Sequence, residues 1–160
     1  LERAPAGHRF VVWLKIDTGM NRLGFRSEQM EAALAALTSM GERLHELRLL
    51  THFASADEHD DPLTRKQLER FAELTRGRHL ARSLANSAAV FAYPASQAEW
   101  VRPGLALYGV SPFADQVGSH LGLTAAMRRP PRRAARWRSA TPWRARRPTP
   151  SASSRRRSRS

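Results

Sequence analysis

Phe10-Val11-Val12-Trp13-Leu14-Lys15-Ile16-Asp17-Thr18-Gly19-Met20-Asn21-Arg22-Leu23-Gly24-Phe25 is the stretch from which the fold is read. Its first half is β-branched, aromatic and almost wholly apolar, the composition of a strand buried on both faces. With His8 and Arg9 ahead of it, the predicted strand covers residues 8–16. At Asp17 the chain turns polar. Gly19 and Gly24 allow backbone angles that other residues resist, so the turn can bend tightly and approach a ligand closely. The cations Lys15 and Arg22 stand at its two ends. Enzymes built of βα repeats keep their chemistry in such loops, at the carboxyl ends of strands. The plainer reading is a satisfied βα turn with two surface cations.

Downstream the same order repeats. Ser27 is placed to cap a helix over about 28–40, with Met30, Ala33, Leu34 and Leu37 on one face and Gly41 just past its end. Residues 47–53 read as a second strand that delivers His52 to the following loop. Thr64 is placed to cap a helix over about 65–76, with Leu68, Phe71, Ala72 and Leu74 inward and Gly77 behind it. Leu80 to Leu84 reads as a short strand, Asn86-Ser87 as a loop and residues 88–91 as the start of a short helix. Residues 99–102 then lead into Pro103-Gly104 and an apolar run to Gly109. Strand, polar loop and helix in alternation imply an α/β fold, a parallel sheet with helices outside it. Roughly four strands are too few to close an eight-stranded barrel, so the region reads as part of one.

Charge divides the chain. All 14 acidic residues lie within 1–127, with 14 of the 27 basic ones, so that span is formally neutral. The remaining 13 basic residues are all arginine and lie in 128–160, so the net charge of +13 belongs to this tail. The tail uses six residue types (Arg, Ser, Pro, Ala, Thr, Trp) and offers almost nothing apolar to bury, so disorder is expected. Those types are encoded largely by G- and C-rich codons, and out-of-frame translation is the leading reading of the segment. The competing reading is an arginine-rich RNA-binding arm, with Trp137 and Trp143 stacking on bases; nucleic acid is not the expected partner. There is no cysteine, hence no disulfide or thiolate metal site. No apolar run approaches the roughly 18 residues of a membrane span, and no signal peptide is visible, so a cytoplasmic location without membrane contact is expected. The acidic cluster Asp57-Glu58-His59-Asp60-Asp61 lacks metal-ligand spacing and reads as a solvated loop; no metal is expected.

Four blocks, taken together, carry a resemblance. They are Lys15-Ile16-Asp17-Thr18-Gly19-Met20-Asn21-Arg22-Leu23-Gly24, Thr51-His52-Phe53-Ala54-Ser55-Ala56-Asp57, Ala85-Asn86-Ser87-Ala88-Ala89 and Val101-Arg102-Pro103-Gly104-Leu105-Ala106-Leu107-Tyr108-Gly109. In order and spacing they resemble alanine racemase, over about residues 8–127. The resemblance implies a partial (β/α)8 barrel, the second half of that family's N-terminal domain, over residues 1–127, followed by the basic tail. It implies pyridoxal 5′-phosphate as cofactor, alanine as substrate, interconversion of L- and D-alanine for peptidoglycan, and a homodimer. The cofactor carries the difficult chemistry and the protein supplies orientation and charge.

By that resemblance, Arg102 donates to the pyridine nitrogen and keeps it unprotonated, because an arginine does not readily yield its proton. Arg22 reaches the phenolic oxygen of the cofactor and the carboxylate of the substrate. Lys15 matches a lysine that is often carbamylated and then holds that arginine. His52 lies beside the ring and relays hydrogen bonds from Arg102. Ser87 and the N–H groups of Gly104 and Leu105 cradle the phosphate, and Asn86 orients the loop. Read without the family pattern, Arg102 is a salt-bridged or surface arginine and His52 a buried histidine satisfied by backbone.

The pattern also breaks. The family's lysine that holds the cofactor as a Schiff base lies upstream of the matching region, and neither Lys15 nor Lys66 sits in its motif. The tyrosine that acts as the opposite-face base belongs to a carboxy-terminal β-domain, and the arginine tail stands where that domain would begin. With both proton-transfer groups missing, this stretch is expected to be inactive alone. The rivals are a pyridoxal-phosphate carrier of the same barrel type and an RNA-associated protein acting through the tail.

Overall fold

The computed structural model describes residues 7–126. Four strands form one sheet in the order β1-β2-β3-β4: β1 (Phe10–Lys15), β2 (Leu44–Leu50), β3 (Arg82–Asn86) and β4 (Trp100–Arg102). Every neighbouring pair is parallel. Parallel neighbours need a crossover, and helices α1 (Ser27–Thr38), α2 (Leu63–Leu74) and α3 (Ser87–Ala92) occupy the three connections. A four-residue helix, α4 (Gly104–Leu107), follows β4. The alternation read from the sequence is therefore present.

The core lies between one face of the sheet and the helices. Leu14 and Leu49 are registered partners on β1 and β2, and both are buried with Met30, Ala33 and Leu34 of α1 and Phe71 of α2. The opposite face carries Trp13 and its registered partner Arg48, whose guanidinium lies 5.3 Å from the Trp13 ring centroid and 4.6 Å from that of Trp100. Glu46 pairs with the same guanidinium at 2.5 Å. This face is wetter than the sequence suggested: Val11 is 45 % exposed and Trp100 47 %. An apolar run was read as buried on both sides, but the helices described here cover only one.

Element boundaries moved for identifiable reasons. Helix α1 begins at Ser27 itself, and Arg26 takes the capping position, its N–H donating to Gln29 Oε1 at 3.1 Å. Ser27 Oγ instead accepts from Arg70 Nη2 of α2 at 2.6 Å. Asp61, not Thr64, serves the start of α2: the Leu63 N–H donates to Asp61 Oδ1 at 2.8 Å, and Thr64 is fully buried within the first turn. Phe71 is buried and Leu68 and Leu74 pack against the core as expected, whereas Ala72 is exposed. The second strand runs Leu44–Leu50 rather than 47–53, which leaves His52 beyond its end. It stops where a buried glutamine, Gln67, takes the His52 carbonyl and the Ala54 N–H. The third strand runs straight into α3 without the expected Asn86-Ser87 loop. Asn86 is both the last strand residue and the helix cap, its Oδ1 accepting from the Ala89 N–H at 3.0 Å. The expectations for residues 128–160 lie outside the described residues.

Candidate functional site

The loop after β1 is built around Asp17. Its Oδ1 accepts from the N–H groups of Gly19 and Asn21, both at 3.0 Å. Burial works to raise the Asp17 carboxyl, but those N–H donors and the nearby Lys15 outweigh it and hold it below the usual carboxylate range. Asn21 takes a left-handed conformation (φ 56°), a need the sequence reading assigned only to glycines. The loop returns to its own strand: Ile16 bridges Phe25, and Phe25 N–H donates to the Lys15 carbonyl at 2.8 Å. Gly24 (φ 119°) is required by that return, since a Cβ there would lie 2.8 Å from the Lys15 carbonyl oxygen. Its close approach is therefore to strand β1, not to a ligand. Lys15 Nζ donates to the Leu23 carbonyl, so the side chain of the strand's last residue closes the loop. Burial lowers the affinity of the Lys15 amine for its proton, Asp17 opposes this, and Arg22 and Arg102 reinforce it.

At β4, Arg102 turns its guanidinium back across the sheet. Nη1 donates to the Ser83 carbonyl at 2.9 Å and to Ser83 Oγ at 2.5 Å. Nη2 donates to the Thr51 carbonyl at 2.6 Å, with longer contacts to the Leu84 carbonyl at 3.3 Å and His52 Nδ1 at 3.4 Å. These bonds all start from the terminal nitrogens, so Nε is the donor they leave over. Arginine only donates, which makes His52 Nδ1 an acceptor and puts the ring proton on Nε2. Burial, then Arg102, Arg22 and Lys15 in turn, hold the His52 imidazole below its ordinary pKa. Half-buried, and with Arg102, Arg22 and Lys15 all acting to lower its pKa, it stays neutral at pH 7.

A cleft of about 290 Å³ opens beside this pair. Six of the seven residues expected to contact a cofactor line it: His52, Asn86, Ser87, Arg102, Gly104 and Leu105. The seventh, Arg22, is exposed and does not line it, although its charge reaches His52 and Lys15. Asp57, read as part of a solvated loop, lines the cleft with Ala88 and Pro112. The aspartate gives no sequence signal that separates it from its acidic neighbours. Among the described residues no group of three His, Asp or Glu side chains is placed to hold a metal.

The cleft suits an anion. Ser87 Oγ accepts from the Ala106 N–H at 3.2 Å, which brings the start of α3 against the start of α4. The first N–H groups of a helix have no partner within it, and Gly104 and Leu105 supply two of them here. A Cβ at Gly104 would meet nothing within 4 Å, so a side chain there is not excluded by packing. Among the described residues the ion pairs are Arg48–Glu46, Arg78–Glu31 and Arg82–Glu99. Lys15, Arg22 and Arg102 take part in none of them.

At the carboxyl ends of the parallel strands the α/β scaffold thus brings together cations that join no salt bridge, a hydroxyl and main-chain amides, an arrangement able to receive an anion. Residues 1–112 match the family model for the alanine racemase N-terminal domain, and the chain belongs to that family. It is 47 % identical over 127 residues to the alanine racemase of Shewanella loihica, covering 79 % of this chain and 36 % of that protein. To the alanine racemase of Vibrio vulnificus it is 50 % identical over 122 residues, covering 76 % and 34 %. The solved biosynthetic alanine racemase of Pseudomonas aeruginosa superposes with a TM-score of 0.70 at 48 % identity, over 75 % of this chain and 33 % of that one. The chain thus spans about a third of the length of the relatives it matches.

Proposed function

We propose that residues 1–127 form the cofactor-gripping part of an alanine racemase barrel and that the cleft beside Arg102 receives pyridoxal 5′-phosphate. The observation that carries this reading is the half-buried Arg102 guanidinium, which joins no salt bridge and lines one cleft with Ser87, Gly104 and Leu105. When bound, pyridoxal 5′-phosphate supplies an aromatic ring able to delocalise the charge left by removal of an α-proton. Ser87 and the Gly104 and Leu105 N–H groups hold the phosphate, and Arg102 donates to the ring nitrogen. Neutral His52 steadies Arg102 by accepting from it through Nδ1. Arg22, on its exposed loop, receives the carboxylate of alanine. We assign carbamylation to Lys15: the ammonium first gives up one proton, the neutral amine then adds carbon dioxide with loss of a second, and a cation becomes an anion able to hold Arg22.

The whole protein, in this reading, interconverts L- and D-alanine as a cytoplasmic homodimer. This 160-residue sequence carries neither a lysine in the family's cofactor motif nor its opposite-face tyrosine, so on its own it binds without racemising. The test is a titration of pyridoxal 5′-phosphate into the chain, followed by absorbance and equilibrium dialysis. Saturable binding is expected, weakened about three- to tenfold by Ser87→Ala, with no D-alanine formed from L-alanine. Absence of saturable binding, or equal binding by the variant, rejects the site.

A further inference from the structure

We propose that Gln67 of α2 is a positioning residue that sets the Arg102–His52 pair by gripping the peptide segment 51–54. The side chain is fully buried. Its Oε1 accepts from the Ala54 N–H at 3.0 Å, and its Nε2 donates to the His52 carbonyl at 3.1 Å and to Thr18 Oγ1 at 3.2 Å. Thr18 Oγ1 lies 2.8 Å from Thr51 Oγ1. One amide therefore holds residues 52 and 54 directly and residue 51 through Thr18. Two of these residues are the ones through which the segment touches Arg102: the Thr51 carbonyl and the His52 ring.

A glutamine in this position is costly by the logic of burial, since a methionine of similar length would fill the space without a polar group to satisfy. What the amide adds is direction. Its two donors and one acceptor match three groups on two different βα loops, and a fully satisfied buried network admits few alternative arrangements. Because Thr18 belongs to the loop that carries Arg22, the same side chain also sets the distance between the two loops of the mouth.

The positioning stands on these contacts alone, whereas its effect on cofactor binding rests on the proposed site. The test uses the unliganded full chain and reads the His52 titration and the exchange of the Arg102 Nη protons by NMR. The charged groups facing His52 are Arg102 from β4, Lys15 from β1, Arg22 from the first loop and Asp57 across the cleft. In Gln67→Met the His52 midpoint is expected to rise by roughly half a pH unit as the ring withdraws from these cations. The Arg102 Nη protons are expected to exchange about tenfold faster. A folded variant with His52 and Arg102 unchanged overturns the proposal. Should Gln67→Met fail to fold, Thr18→Val decides: a smaller rise at His52 and about twofold faster exchange at Arg102 support it, and no change overturns it. Failure of the wild-type chain to bind pyridoxal 5′-phosphate rejects the cofactor site and leaves the positioning to be judged by the NMR result.

Discussion

The two ends of the sheet use arginine in opposite ways. Near the amino end of β3, Arg82 lies 3.8 Å from Glu99, and Arg78 pairs with Glu31. At the carboxyl end, Arg102 spends its donors on carbonyls of three residues, Thr51, Ser83 and Leu84, and meets no carboxylate. A hollow of about 550 Å³ beside Arg76, Arg78 and Arg82 is larger than the cleft at the mouth. Size therefore does not identify the site. An arginine in no salt bridge beside a hydroxyl and helix-start amides does, because such donors suit an anionic ligand.

The largest effect is expected from Arg102→Ala. The guanidinium bridges the Thr51 carbonyl, just past β2, and Ser83 on β3, and its removal takes a charged donor from the Thr51 carbonyl and from Ser83. A loss of about 3 kcal/mol in unfolding free energy is expected, read by urea denaturation. A loss under about 1 kcal/mol shows that water replaces the guanidinium readily and that the contrast between the two ends is one of charge alone.

A single substitution at two glycines sharpens the same contrast. Gly24→Ala places a Cβ 2.8 Å from a carbonyl oxygen at φ 119°, so a cost of about 2 kcal/mol is expected, with the first loop displaced. Gly104 has no such constraint, and Gly104→Ala is expected to leave the melting temperature unchanged while adding a methyl at a residue that lines the cleft. Weaker binding of pyridoxal 5′-phosphate without loss of stability distinguishes a ligand space from a structural glycine. Equal destabilisation by both removes the distinction.

Much of this was legible in the sequence, and what was missed has a common cause. The apolar spacing of Met30, Ala33 and Leu34 marks the buried face of α1 because burial follows helical period. The motif blocks bring His52, Asn86, Ser87, Arg102, Gly104 and Leu105 to one cleft. Gln67, Thr18 and Thr51 passed unseen because polar residues on a helix or in a loop look solvated until their partners, 49 and 33 residues away, are known. The openness of the Trp13 face was hidden for a related reason. An apolar strand reports what it can bury, not how much covers it.

Acid should act on the mouth before it acts elsewhere. The His52 imidazole is held below its ordinary pKa, so the unfolded chain takes up a proton that the folded chain resists. Its contribution to stability is present above about pH 6.5 and is lost as the pH falls through that value toward the lower folded-state pKa. Asp17, also lowered, adds a second loss, through the ordinary aspartate range toward its own folded value. Urea midpoints measured across pH 4.5 to 7.5 should therefore decline on the acidic side, and His52→Gln should flatten that decline. An unaltered slope in the variant assigns the pH dependence to another group.

The smallest effect is expected at the opposite end. Arg82 and Glu99 are both well exposed, and an ion pair in that setting contributes about 0.5 kcal/mol or less because water and salt screen it. Arg82→Ala removes the guanidinium but leaves the Arg82 main-chain N–H, which donates to Glu99 Oε2 at 2.8 Å, so even the contact to the residue preceding β4 survives in part. Stability in 0.5 M salt should match that of the wild type within error, and pyridoxal 5′-phosphate binding should not move. A loss comparable to that of Arg102→Ala would mean that the paired arginines hold the sheet together as firmly as the unpaired one, and the asymmetry between the two ends would then lie in ligand chemistry and not in structure.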